Sequence, residues 1–151
     1  MADCLSMTVS LPPKLAEIRD DFEALTGNDR IQLLLEFALE LPDLPDRYRD
    51  HPELFERVEE CQSPVYIFVE IDPESRVHVF ATAPEQAPTT RGFASILATG
   101  LSGLTAEETL AVSDDFPGTL GLAQIISPLR LRGMSGMLRR IKRQVAEKAA
   151  I

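Results

Sequence analysis

Covalent or transfer chemistry needs a side chain that can act as a nucleophile, base or ligand, and this chain offers few. It has two cysteines, Cys4 and Cys61, and two histidines, His51 and His78. These four do not fall at metal-ligand spacings, so no metal site is expected. Two cysteines cannot build a disulfide framework, and Cys4 lies near a terminus expected to fray. Cys61 is placed differently. The polar run Glu59-Glu60-Cys61-Gln62-Ser63-Pro64 leads straight into Val65-Tyr66-Ile67-Phe68-Val69. A thiol at the point where a loop becomes a strand can be held in place and still be presented at an edge. The commoner fate of a single cysteine is a small buried core residue.

If Cys61 reacts, the thiolate is the reactive form. Its neighbours Glu59 and Glu60 disfavour an anion, so a cation is needed to offset them. Hydrolytic chemistry would also need a base, and His78 is the candidate; the plainer reading of His78 is an ordinary strand residue. Gln62 and Ser63 can hydrogen-bond local backbone and hold the loop. Tyr66 reads as a core aromatic.

The elements that must hold this segment can be read from periodicity. Residues 1–10 read as a flexible tail. Pro12-Pro13 suits a first helical turn, and Leu15, Ile18, Phe22 and Leu25 follow at steps of three and four. Thr26-Gly27 ends that helix. Asn28 or Asp29 would cap a second one carrying Ile31, Leu34, Leu35, Ala38 and Leu39 on its apolar face. Residues 42–57 contain Pro42, Pro45 and Pro52 and read as a surface connection with one helical turn near Pro52–Arg57. Residues 65–71 and 77–82 read as a strand pair joined by Asp72-Pro73-Glu74-Ser75, hence antiparallel. A helix is expected from Thr89 or Thr90 to Leu101. Thr105 and Glu108 have capping-box spacing for a short helix. Ser113–Gly118 reads as a turn-rich loop, and residues 119–129 as a short helix or irregular packed segment. A last helix from Gly133 or Ser135 would bury Met134, Met137, Leu138, Ile141 and Val145. The sum is an α+β fold, a small antiparallel sheet packed against several helices.

Size and composition limit what this fold can do. At 151 residues and 44% hydrophobic content, one core of useful size is expected, in residues 11–151. No apolar run approaches the roughly 20 residues of a membrane-spanning helix, and the start lacks the pattern of a signal peptide. The expectation is a cytoplasmic protein with reduced thiols and no membrane partner. Net charge is −9. Acidic residues dominate up to residue 129, whereas Arg130, Arg132, Arg139, Arg140, Lys142, Arg143 and Lys148 far outnumber Glu147 after it. An acidic body argues against nucleic-acid binding. The basic end is either a solvated helix face or a contact for an acidic partner.

Three blocks carry a resemblance. Val58-x-x-Cys61-Gln62-Ser63-x-Val65-Tyr66 resembles the cysteine motif of the SufE family, the sulfur acceptors of iron–sulfur cluster assembly. Ile126-Ser127-Pro128-Leu129-Arg130-Leu131-Arg132-Gly133-Met134 resembles that family's L-[ST]-P-x-R-x-x-G-[LM] segment. Arg91-Gly92-Phe93 stands where the family has a basic residue, glycine and a hydrophobic residue. Order and spacing agree across about Leu11 to Ala149.

The resemblance implies a SufE/IscU-like fold of about three strands. It implies that Cys61 carries a persulfide, that Arg130 stabilises the thiolate or organises the site, and that Gln62, Ser63, Arg91, Gly92 and Gly133 support it. The partner would be a SufS-like cysteine desulfurase carrying pyridoxal phosphate, with an iron–sulfur scaffold complex as a further candidate, and the protein a monomer or homodimer. The chain itself would bind no cofactor: Lys14, Lys142 and Lys148 are its only lysines, and none sits in a convincing pyridoxal-phosphate setting. The sequence departs from the family at two places. Glu60 replaces the usual glycine, whose backbone freedom a glutamate lacks. Glu85-Gln86-Ala87 stands where Ser-Asp-Ala is common. Two rivals remain at this level: a helical adaptor with a structural cysteine, and a thiol hydrolase or redox enzyme.

Overall fold

The computed structural model describes residues 11–149; the expected tail over residues 1–10, with Cys4, lies outside them. The described residues form six α-helices and a three-stranded antiparallel sheet. Helices α1 (Pro13–Glu23) and α2 (Asn28–Leu39) come first. A short α3 (Asp46–Arg49) and a 3-10 turn (Pro52–Leu54) lead to β1 (Glu56–Arg57). Strands β2 (Tyr66–Ile71) and β3 (Val77–Thr82) follow, then α4 (Pro88–Leu101) and α5 (Ala106–Leu110). A 3-10 turn over Phe116–Leu120 precedes the long α6 (Pro128–Ala149).

The expected hairpin forms with the register Ile67↔Ala81, Val69↔Val79 and Ile71↔Val77. Alternation sends Ile67, Val69, Val77, Val79 and Ala81 into the core with Phe93, Ile96, Leu97, Met137 and Ile141. The other face carries Phe68 and Phe80, half-buried under Tyr48, whose ring centroid lies 5.0 and 5.2 Å from theirs. The third strand, β1, spans two residues and pairs only with Tyr66 and Ile67. Beyond it the β2 edge would be bare. Helix α6 covers that edge: the Gln144 side chain accepts from the Val69 N–H at 2.9 Å, and Lys148 donates to the Val69 carbonyl.

Helix α4 is buried along most of its length and packs against α2. Gly92 sits at their crossing, where an added Cβ would overlap the Leu34 backbone oxygen. The capping box at Thr105 is present, with both reciprocal hydrogen bonds.

Several expectations are corrected. Helix α6 begins at Pro128, five residues before Gly133, because proline opens the helix and the Ser127 hydroxyl accepts from the Arg130 N–H. The cap of α2 is Gly27 at φ 52°, not Asn28 or Asp29. The turn near Pro52 stops at Leu54, and Glu56–Arg57 is strand; α3 is an additional helical turn. Leu39, assigned to the buried face of α2, is 87% exposed.

Candidate functional site

Cys61 lies in a tight loop between β1 and β2. The Val58 N–H donates to the Val65 carbonyl at 2.9 Å, and the Cys61 N–H to the Val58 carbonyl at 3.1 Å. These two bonds close the segment on itself and turn the thiol onto helix α6. Cys61 is 8% exposed, and its Sγ lies 3.7 Å from the Gly133 carbonyl oxygen. Gly133 makes that approach feasible: a Cβ there would stand 3.0 Å from Sγ. One helical turn on, a Cβ at Gly136 would stand 2.6 Å from the Glu60 carboxyl carbon. The two glycines form a groove in α6 in which Cys61 and Glu60 rest side by side.

A cleft of about 100 Å³ lies in front of the thiol, and Gln62, Ser63, Thr89, Arg130 and Gly133 all line it. The structure thus brings Cys61, Gln62, Ser63, Arg130 and Gly133 to one place. The exposed Arg130 guanidinium is held across the cleft by the Thr89 hydroxyl at 3.1 Å. Arg91 is directed elsewhere. It donates to the carbonyls of Ala38 at 3.0 Å and Ala83 at 2.6 Å, tying α2, the end of β3 and α4 together. Gly92 serves the helix crossing. Both act behind the cleft, on the scaffold that carries its Thr89 wall.

Burial pushes the Cys61 thiol up to about 11, and the Glu60 carboxylate adds to the effect. The charges of Arg140 and Arg57 act in the opposite direction. Neither arginine stands out in the sequence. The signal for Arg140 is its spacing: Gly133, Gly136 and Arg140 fall at i, i+3 and i+7, one stripe of the helix.

Arg140 also holds the loop. Its Nε donates to Glu60 and its Nη1 to Glu56, both at 2.7 Å. Glu56 accepts further bonds from Arg143 and, at 2.9 Å, from Gln144. The hydrogen bond from Arg140 holds the Glu60 carboxyl below its ordinary range. For Glu56, burial acts upward, and the bonds from Gln144, Arg143 and Arg140 outweigh it. Glutamate is accommodated where the family favours glycine. Ser75 is the only non-glycine residue with positive φ among those described, so Glu60 needs no left-handed backbone. Of the second departure, Gln86 and Ala87 line the cleft, whereas Glu85 lines a neighbouring hollow.

His78 takes no part in this cleft. Its Nε2 is 2.7 Å from an Asp72 carboxylate oxygen at the far end of the hairpin. Among the described residues no group of three His, Cys, Asp or Glu side chains could hold a metal ion, and no helix is long and apolar enough to cross a membrane.

A comparison with known families covers most of the chain. The profile of the SufE family, described as an Fe-S metabolism associated domain, matches residues 16–145. This chain belongs to the SufE family. An uncharacterized SufE-like protein of Mycobacterium tuberculosis is 52% identical over 143 residues, covering 95% of this chain and 99% of that one. The chloroplastic/mitochondrial SufE-like protein 1 of Arabidopsis thaliana is 31% identical over 135 residues, 89% of this chain and 35% of the plant protein. The cysteine desulfuration protein SufE of Plasmodium falciparum is 25% identical over 137 residues, covering 88% and 54% respectively. A solution structure of a hypothetical protein from Thermus thermophilus superposes with a TM-score of 0.81 at 34% identity, covering 93% of this chain and 99% of that one. The α+β fold expected from the sequence is thus the fold of that Thermus protein as well.

Proposed function

We propose that this SufE-family protein accepts sulfur on Cys61 from a cysteine desulfurase, delivers it for iron–sulfur cluster assembly and so stimulates the desulfurase. The observation that carries this reading is the seat of Cys61, a thiol facing a small cleft in a loop shaped around it. The name of the Plasmodium relative, a cysteine desulfuration protein, supports it.

The transfer is a displacement at sulfur. The Cys61 thiolate attacks the outer sulfur of the donor's cysteine persulfide. A new S–S bond forms at Cys61 as the donor's own S–S bond breaks. The donor cysteine departs as a thiolate and takes up a proton, and sulfur's overall oxidation state is unchanged. This needs one thiol on the acceptor and no metal, second cysteine or hydrolytic base. The pyridoxal phosphate that extracts sulfur from free cysteine belongs to the desulfurase.

Burial and the Glu60 carboxylate push the Cys61 thiol up to about 11, which favours its protonated form near neutral pH. The seat therefore guards the sulfur against oxidation at rest, and the loop shifts outward in the complex, where Arg57, Arg140 and Arg130 favour the anion. The reading places the protein in the cytoplasm, with an iron–sulfur scaffold downstream.

Incubation with a SufS-type desulfurase and free cysteine, followed by intact-mass measurement, tests it. Wild type gains the mass of one sulfur, removable by dithiothreitol, and Cys61→Ser gains none. A gain that survives in Cys61→Ser would refute the assignment.

A further inference from the structure

Helix α2 ends on a leucine left exposed by the described residues. Four large apolar side chains are substantially exposed among the described residues: Leu39 at 87%, Leu54 at 42%, Leu129 at 40% and Leu110 at 38%. Two of these flank the cysteine cleft. Leu129 lines the cleft itself. Leu39 lines a hollow of about 510 Å³ beside it, with Leu35, Ala38 and Pro88. Pro88 lines both depressions, so they share a wall. A protein seated over the cleft at Pro88 lies next to the hollow that Leu39 lines.

The rim of the hollow is acidic. Glu85 lines it, and the exposed Glu36 on α2 and Glu40 just past its end bracket Leu39. Arg91, the cation in the lining, is turned inward onto two backbone carbonyls. The whole chain carries a net charge of −9.

We infer that Leu39 and its hollow are a docking patch for the cysteine desulfurase, receiving an apolar side chain of that partner ringed by lysine or arginine. The inference rests on the sulfur-acceptor reading and names where the donor holds on. Continuity with the cleft selects the donor as occupant, and charge selects against a second copy of this chain. A symmetric contact would set Glu36, Glu40 and Glu85 against themselves, and like charges across an interface disfavour it. An exposed leucine between acidic neighbours gives the patch both elements of a specific contact, an apolar anchor and a polar rim.

The test uses Leu39→Asp in the full chain, with Leu110→Asp as a comparator whose leucine lines neither depression. The partner is a SufS-type desulfurase that persulfidates wild type. Leu39 is exposed, so thermal unfolding and the rate of Cys61 alkylation by iodoacetamide stay at wild-type values. The dissociation constant for the desulfurase, read by biolayer interferometry, rises about tenfold or more in Leu39→Asp and less than twofold in Leu110→Asp. Glu36→Lys with Glu85→Lys lowers the association rate at low salt, and the difference fades as salt is raised.

Affinity within twofold of wild type in Leu39→Asp, while wild type still accepts sulfur, overturns the patch and leaves the sulfur-acceptor reading standing. Failure of wild type to bind or accept sulfur from any desulfurase removes both. A Leu39→Asp variant that loses only self-association in sedimentation runs assigns the patch to a second copy and overturns the inference.

Discussion

At the scale of single residues, the telling feature is a buried thiol whose surroundings favour its protonated form. Cys61 sits 8% exposed beside Glu60, and burial first, then that carboxylate, raises its pKa from an ordinary 9.0 to about 11. The elevation has a consequence for stability. A thiol that ionises at higher pH when folded stabilises the fold fully below about pH 9, and this contribution is lost as pH rises toward 11. Subtracting the stability of Cys61→Ala from that of wild type at each pH isolates it from other titrating groups. The difference is expected to be flat from pH 6 to 8 and to shrink between pH 9 and 11. A flat difference across the whole range would mean that the thiol is freely solvated. The presence of Cys61 is evident in the sequence, and so is the hindrance from its acidic neighbours. The cations that answer them are not, because Arg57 and Arg140 reach the thiol from the end of β1 and from α6.

At the scale of elements, α6 does three tasks with one stripe and its flanks. Gly133 and Gly136 hollow out the seat for the cysteine loop, Arg140 clamps the two glutamates leading into it, and Gln144 covers the edge of β2. Gly136→Ala is expected to push Glu60 out of its groove and weaken its bridge to Arg140. Overpacking of this kind costs about 1–3 kcal/mol, measurable by urea unfolding, and faster Cys61 alkylation should accompany it. Gln144→Ala leaves the buried Val69 N–H without its acceptor, at a cost of about 1–3 kcal/mol. Hydrogen exchange at Val69 should quicken in that variant more than exchange at Val79. If both amides respond alike, Gln144 serves general packing instead of edge protection. The long reach of α6 was only partly legible. Ser127, Pro128 and the later apolar stripe are sequence signals, yet the helix is expected only from Gly133 or Ser135, and the use of Gly133 and Gly136 shows only once Cys61 and Glu60 are seen against them.

At the scale of the whole molecule, the fold divides a scaffold from a working face. Helices α1, α2 and α4 and the sheet supply the core, with Phe22, Phe93 and Phe116 among its largest fully buried side chains. The working face gathers the cysteine loop, the start of α6, the start of α4 and the end of α2. That gathering is why a substitution at Leu39, 22 positions from Cys61 in the chain, is expected to change donor affinity without changing the thiol. Family profile and relatives agree that this is a SufE-family protein.

The sequence by itself determined the family, the helix and strand periods, the hairpin and the cysteine that is the candidate nucleophile. Those are local properties, carried by residues three, four or two apart and by short motifs. Only the tertiary structure decided that Leu39 faces outward, that Arg140 pairs with Glu60, and that the thiol lies against Gly133. Such contacts join residues about 70–80 positions apart, and their geometry comes from the packing of α6 on the sheet, which no local pattern encodes.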